Sequence, residues 1–255
     1  MIYRETGNFV TNYLKDRQIV NLSFDKYFLI VFLLIMLFYV PTMSEYALSA
    51  HIIPILAVGL ATLGLNILTG LTGQLSLGTA GFMSVGAFAT YNLLLRIPED
   101  LMSLPFALLI GGIFSGLVGV IFGLPAAKIK GFYLLVSTLA AQYFVWWFFN
   151  SYAWFLNYES SGVVALPPRM YDYWGLGSFL GIDMQGYGPR YVLAFLICLG
   201  LTYFAFNLMR SNTGRSFMSV RDRDIAAGVI GIPVVKTKML AFFISCFYCG
   251  VAGGL

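Results

Sequence analysis

Charged residues are scarce in this chain. The 15 basic and 11 acidic residues make up 10% of the sequence, whereas apolar residues make up 59%; ordinary soluble domains carry roughly 25% charged residues. All of the charged side chains can be placed outside seven long apolar stretches. A charge at the centre of a membrane helix costs about 2.5 to 3.5 kcal/mol. The separation therefore excludes a soluble globular protein and predicts membrane-spanning helices.

Residues that bind metals or perform catalysis are equally sparse. The sequence has three cysteines, all within apolar stretches, and one histidine, His51. Cys246 and Cys249 form a C-x-x-C pair, but a metal or redox centre would need polar access and further ligands. Small packing residues are the favoured interpretation. Because no nucleophile, base and orienting group are grouped together, we predict no enzyme, no metal and no cofactor.

Two means of driving transport are also missing from the sequence. The phosphate-binding pattern G-x-x-x-x-G-K-[ST] does not occur, so any ATP hydrolysis would have to come from another polypeptide. The apolar stretches contain no Asp, Glu, Lys or Arg that could relay protons or ions. This absence argues against a secondary transporter.

Long apolar stretches indicate the fold, since about 20 residues cross the hydrocarbon core of a bilayer. The predicted spans cover residues 27–40, 47–69, 74–95, 105–126, 131–149, 191–209 and 239–255. The first has only 14 residues and needs its neighbours to cross. The prediction is an all-α integral membrane protein, a polytopic bundle of about seven spans at residues 27–255, after a cytoplasmic N-terminal segment at 1–26.

Lys and Arg residues are distributed unequally between the two sides of this topology. With the N-terminus inside, twelve lie in cytoplasmic segments: Arg4, Lys15, Arg17, Lys26, Lys128, Lys130, Arg210, Arg215, Arg221, Arg223, Lys236 and Lys238. Three lie outside: Arg96, Arg169 and Arg190. Translocation disfavours short exported loops that are rich in Lys and Arg. The bias predicts a cytoplasmic segment at 210–238 and an external loop at 150–190.

Uncharged polar residues concentrate around the link between the second and third predicted spans. Residues 70–81 are rich in glycine and hydroxyl groups, and irregular backbone at membrane depth is stable only against protein or a water-filled cavity. The side chains that could line a path for a small polar solute are Asn66, Gln74, Ser76, Thr79, Ser84, Thr138 and Gln142. Alternatively, some of them bond to their own helix backbone, as Ser and Thr often do.

Glycines recur along one face of the fourth predicted span. The four positions are Gly112, Gly116, Gly119 and Gly123. Small residues at this spacing let helices approach closely. We therefore favour a helix-packing seam over substrate contact.

The segment 210–238 combines charge with helical periodicity. Four of its residues fall at helical spacing: Phe217, Val220, Asp224 and Ala227. Gly231 and Pro233 would end such a helix. The pattern predicts a short amphipathic cytoplasmic helix, and the alternative is a solvated loop.

Three sequence motifs occur in order along the chain. They are GQLSLG at 73–78, GFY at 131–133 with STL at 137–139, and GRS at 214–216 followed by 221–231 and by Ala241-Phe242. Together they resemble the LivM-type permeases of branched-chain amino-acid ABC importers, over roughly residues 52–255. The sequence departs from that family at Thr79, where histidine is common.

The resemblance implies a membrane-spanning permease subunit that moves branched-chain amino acids inward with energy from a separate ATPase. Its implied partners are cytoplasmic ATP-binding subunits, a second related permease subunit, an extracytoplasmic solute-binding protein and the lipid bilayer, with no nucleic acid. The implied location is the bacterial inner membrane, multi-pass, with the N-terminus cytoplasmic. Family members are longer and the last span is still running at Leu255, so we expect C-terminal truncation.

Under this resemblance the segment 210–238 would couple the spans to the ATPase. The candidate coupling residues are Gly214, Arg215, Phe217, Val220, Arg221, Asp222, Arg223, Asp224, Ala227, Gly228 and Gly231. We expect the charged side chains at the rim of the contact, and Phe217, Val220 and Ala227 as its apolar face. The glycines at 228 and 231 would permit close approach.

Two other functions remain open at this point. One is a permease for urea or short amides, since related permeases with similar motifs serve those importers. The other is an energy-independent channel or facilitator.

Overall fold

The computed structural model describes residues 23–97, 103–128, 132–158 and 186–255. In these ranges the chain is helical and contains no β-strand, which confirms the all-α prediction. Most of the predicted N-terminal segment 1–26 and most of the predicted external loop 150–190 lie outside the described residues. Gly131 of the second motif also lies outside them.

Nine helices follow one another in the described ranges. They are α1 Ser23–Phe38, α2 Glu45–Leu71, α3 Thr79–Arg96, α4 Leu104–Lys128, α5 Phe132–Ser151, α6 Tyr187–Arg210, α7 Asn212–Asp222, α8 Asp224–Val229 and α9 Val234–Gly254. Helix α2 is regular at Ile53–Asn66 and widens to π-helical turns at Leu48–Ile52 and Ile67–Leu71. A 3₁₀ turn, Val40–Thr42, follows α1.

Five helical segments are long and apolar enough to cross a membrane. They are Phe24–Thr42, Glu45–Leu71, Leu104–Leu124, Tyr187–Arg210 and Val234–Gly254. These confirm a polytopic membrane protein. Helices α3 and α5 were also predicted as spans but are not among the five, so the total of seven crossings stays a prediction.

The chain divides into two compact units, Met1–Ser44 and Glu45–Leu255. In the first unit α1 is apolar on all sides, and only 6% of its most apolar stretch is buried inside the protein. Such a surface is typical of a helix surrounded by lipid. The predicted division between residues 1–26 and 27–255 separates a cytoplasmic segment from the membrane domain. The two compact units do not test it, so it stays a prediction.

Helix α9 is the centre of the second unit. It packs along α4, α3 and α2. Half of its most apolar stretch is buried inside the protein, 50%, which is the largest share among the five segments. Phe242, Tyr248 and Val251 are completely enclosed. A helix that is apolar all round and packed on several sides is the core of such a bundle.

The glycine face of α4 is the surface that receives α9. A Cβ atom added at Gly112 would lie 2.7 Å from Val251, and one at Gly116 would lie 2.7 Å from Phe243. At Gly119 the added atom would run into the Cys246 side chain. The predicted packing seam is therefore confirmed, because side chains of α9 occupy the space that larger residues would need.

Ser115 stabilises the same seam through its hydroxyl group. Its buried Oγ lies 2.8 Å from the carbonyl oxygen of Phe82 in α3 and 2.9 Å from that of Cys246 in α9. One hydroxyl carries one proton, so it donates to these two acceptors in alternation. The contact joins α3, α4 and α9 at one point.

Candidate functional site

The link between α2 and α3 begins with a glycine turn. Gly73 has a φ of +68°, a left-handed conformation that favours glycine. The amide of Gly73 donates to the carbonyl of Thr69 over 3.2 Å, and the amide of Gln74 donates to that of Leu68 over 3.2 Å. These bonds satisfy carbonyls at the end of α2, as glycine caps commonly do.

Residues 73–78 run without helix and alternate in burial. Gln74, Ser76 and Gly78 face the interior, whereas Leu75 and Leu77 are exposed. The Gln74 amide nitrogen donates to Thr72 Oγ1 at 3.1 Å and to the carbonyl of Lys238 at 3.3 Å. Polar side chains of a non-helical segment are thus turned into the protein, where irregular backbone at membrane depth is tolerated.

Helix α5 completes the surroundings of the link. The backbone amide of Leu77 donates to Thr138 Oγ1 over 3.0 Å, and that hydroxyl donates to the carbonyl of Leu135 over 3.0 Å. Gly81 lies against Gln142, because an added Cβ would be 2.9 Å from the Gln142 Cα. The structure therefore places Thr138 against the link that carries Gln74 and Ser76, and Gln142 against the first turn of α3.

The remaining three predicted path residues lie on the helices that flank the link. Ser84 donates to the carbonyl of Gly81 at 2.7 Å, which is the own-helix bond named as the alternative. Asn66 is exposed on α2, and Thr79 is half-buried at the first position of α3. A role for any of the seven side chains in solute movement stays a prediction.

The segment after α6 is helical but broken. One amphipathic helix was predicted, whereas two are present, α7 and α8, because Arg223 between them has extended backbone with φ −154° and ψ 103°. Ser211 caps α7 by accepting the amide of Gly214 at 3.2 Å. The break corrects the prediction of a single continuous helix.

Helix α8 ends just before Gly231, as the sequence predicts. Gly231 has a φ of +89°. Its amide donates to the carbonyl of Gly228 over 3.1 Å, and the amide of Ile232 donates to that of Ala227 over 3.0 Å. This pair of bonds is the Schellman pattern, which requires a left-handed residue directly after the helix.

The residues predicted as an apolar contact face are buried inside the chain. Phe217, Val220 and Ala227 expose 0%, 3% and 1% of their surface. Phe217 belongs to the same apolar cluster as Leu208 of α6. These side chains join the segment to the spans, so the assignment of Phe217, Val220 and Ala227 to a partner contact needs revision.

A different apolar surface is exposed on this segment. Ile225, Val229 and Ile230 expose 77%, 86% and 74% of their surface, and we call them the α8 surface. The aliphatic pair at 225 and 229 has i, i+4 spacing, a signal that the sequence contained. It was missed because the periodicity was assigned to Phe217 and Val220.

The segment at 210–238 and the polar link meet directly. Arg221 Nη1 donates to the carbonyl of Gly70 at 2.9 Å. Lys238 Nζ lies 3.5 Å from Asp224 Oδ2, with both side chains largely buried. A cavity of about 600 Å³ lies between the link and residues 220–226. The contact with Gly70 joins positions 151 residues apart in sequence, which periodicity alone does not reveal.

Comparison with known proteins agrees with these motifs. The family described as branched-chain amino acid transport system, permease component, matches residues 47–255. The chain belongs to this permease family. The match contains every candidate path and coupling residue, and its start is close to the start of the second unit at Glu45.

Two members of this family are similar to the chain over most of its length. The high-affinity branched-chain amino acid transport system permease protein LivM of Salmonella typhimurium is 29% identical over 220 residues, which is 76% of this chain and 48% of that protein. LivM of Escherichia coli is 29% identical over 217 residues, with the same shares. The permease chain thus spans about half the length of these relatives. No solved structure gives a significant match.

Proposed function

We propose that this chain forms a membrane permease of an ABC importer that carries branched-chain amino acids into the cell. The observation that carries the proposal is the joint between a polar link inside an apolar bundle and a cytoplasmic helical segment, made by Arg221 and Gly70. Family membership and the similarity to LivM support the class of solute. The energy would come from separate ATP-binding subunits.

The chemistry of the link suits this solute class. Gln74 and Ser76 offer neutral hydrogen-bonding groups, which can replace water around a zwitterion without holding either of its charges. Selection between solutes then belongs to an extracytoplasmic solute-binding protein, and a second related permease subunit would form the other wall of the path.

The test of this function is uptake of labelled leucine, isoleucine and valine. Cells that carry the chain with its partner subunits should accumulate all three against a gradient, and the accumulation should stop when ATP is depleted. Uptake of urea or acetamide in place of the amino acids would support the amide permease instead. Equilibration without ATP would identify a facilitator.

The α8 surface is proposed as the contact for the ATP-binding subunit. Its three bulky aliphatic side chains project from a charged segment of the chain, between Asp222 and Lys238. An apolar centre with charged groups around it is the usual anatomy of a protein contact. Apolar anchors of this kind often carry most of the interface energy.

The proposed orientation places this surface in the cytoplasm, together with the N-terminus, in the bacterial inner membrane. The twelve-to-three distribution of basic residues supports it. We expect Ile230→Cys to react with a membrane-impermeant thiol reagent in inside-out vesicles and not in intact cells. Bound ATP-binding subunit should slow that reaction by about tenfold, because anchor positions exclude water.

Val235→Cys is the matched control for this experiment. Val235 is an aliphatic residue of the same segment, 47% exposed in the first turn of α9. It should react from the same side and keep its rate when the ATP-binding subunit is present. Reaction of Ile230→Cys in intact cells would contradict the orientation, and equal protection of both positions would contradict a contact at the α8 surface.

A further inference from the structure

Arg221 lies across the end of α2 in a way that an interface-rim residue would not. Its Cγ packs on Gly73, where an added Cβ would be only 3.0 Å away. Its Nη1 donates to the carbonyl of Gly70 at 2.9 Å, and its Nε lies 3.1 Å from Asp222. A guanidinium at a helix C-terminus is favourable because carbonyls and dipole are both negative there.

Two further contacts extend this connection along the link. Gln74 donates its side-chain amide to the carbonyl of Lys238 at the start of α9. Leu77 donates its backbone amide to Thr138 of α5. The backbone from 73 to 77 is non-helical, and four such residue steps span about 13 Å when extended. The cytoplasmic segment is thus connected to α5 by an unbroken series of short contacts.

The position of the link therefore depends on the position of α7. Bonds to a backbone carbonyl and packing on a glycine leave little room for α7 to move without the link. The ion pair with Asp222 contributes little, because its side chains are 46% and 68% exposed. The hydrogen bond to Gly70 is exposed as well, so the packing of the Arg221 Cγ on Gly73 holds the contact in place. The contact that matters is the one between Arg221 and the end of α2.

We propose that Arg221 is the positioning residue that transmits movement of the cytoplasmic segment to the polar link at residues 73–78. This inference rests on the proposed function and changes the predicted role of Arg221 from a rim contact with the ATPase to an internal connection. Movement driven at α7 and α8 would shift the link, and through it the hydrogen bond to Thr138.

The experiment follows the link directly with a thiol probe. Leu75 is exposed on the link, so Leu75→Cys reports its surroundings by its rate of thiol labelling. In the complete importer this rate should differ between the nucleotide-free and the vanadate-trapped states. Arg221→Gln should remove the difference and lower leucine transport by about tenfold, while the ATP-binding subunit still co-purifies.

Two variants separate transmission from folding. Arg221→Lys keeps a cation that can reach the Gly70 carbonyl, and it should restore most of the nucleotide response. Lys236→Gln removes an exposed positive charge from the same segment and should behave as the wild-type protein does. If Arg221→Gln is poorly inserted, Arg221→Lys decides. A nucleotide response smaller than that of the wild type supports the role of Arg221, and a response equal to that of the wild type overturns it.

Each outcome points to one conclusion. A wild-type importer that retains no ATP-binding subunit would contradict the proposed function, whatever Arg221 does. A wild-type importer that couples normally, with Arg221→Gln retaining both the nucleotide response and transport, would overturn the role of Arg221. Reduced stability of Arg221→Gln with an unchanged nucleotide response would also overturn it, because Arg221 would then be only structural.

Discussion

Replacing Gly86 with alanine is expected to destabilise the membrane bundle strongly. The backbones of α3 and α9 touch at this position, and an added Cβ would run into the carbonyl group and Cα of Gly250. Backbone atoms cannot move aside as the end of a side chain can. Overpacking of this kind costs about 3 kcal/mol, so the melting temperature of the purified protein in detergent should fall markedly.

Gly59→Ala is the matched control for this prediction. Gly59 also lies within a helix, α2, but an added Cβ there meets no atom within 4 Å. Alanine is favoured over glycine in helices by about 0.5–1 kcal/mol, so this variant should be as stable as the wild type or more so. Equal melting temperatures for Gly86→Ala and Gly59→Ala would show that the two helices are not in backbone contact.

Replacing Thr138 with valine is expected to lower leucine uptake by about tenfold. Valine has nearly the same shape, but it removes the acceptor of the Leu77 amide. Thr138 is 1% exposed, and an unsatisfied buried donor costs about 1–3 kcal/mol. The link should then leave its position against α5. Uptake at constant expression measures the effect.

Two controls isolate the hydrogen bond in this prediction. Thr138→Ser retains the hydroxyl and should keep most of the uptake. Thr62→Val makes the same chemical change where the hydroxyl bonds only within α2, to Gly59 at 2.7 Å and Val58 at 3.0 Å, and it should be silent. Normal uptake by Thr138→Val would show that the link does not depend on this contact.

Most of the architecture could be predicted from patterns along the sequence. The apolar stretches predicted the polytopic helical fold because the cost of burying charge acts on each segment independently. The glycine spacing in α4 predicted a packing seam without naming its partner helix, and Gly231 marked the end of α8. These features are local in sequence, so one segment at a time contains the information.

The two polar regions were each predicted, but their relation was not. Sequence placed Thr138 and Ser84 together among seven candidates. Both hydroxyls bond to their own helix, but Thr138 also accepts the amide of Leu77 in the link. Separating the two requires knowing which segment lies opposite each hydroxyl. That depends on how the helices pack, and hydrophobic periodicity does not specify a neighbour.

The sequence by itself predicted an all-α polytopic membrane protein and a resemblance to one permease family, and both predictions are confirmed. Only the tertiary structure decided that Phe217 and Val220 face inward, that Ile225 and Val229 face outward, and that Arg221 reaches Gly70. An amphipathic pattern with apolar residues on two faces allows either face to be buried. Phe217 and Val220 are the buried face because they fit the space between α6, α9 and the link. That space forms only when segments distant in sequence have packed together.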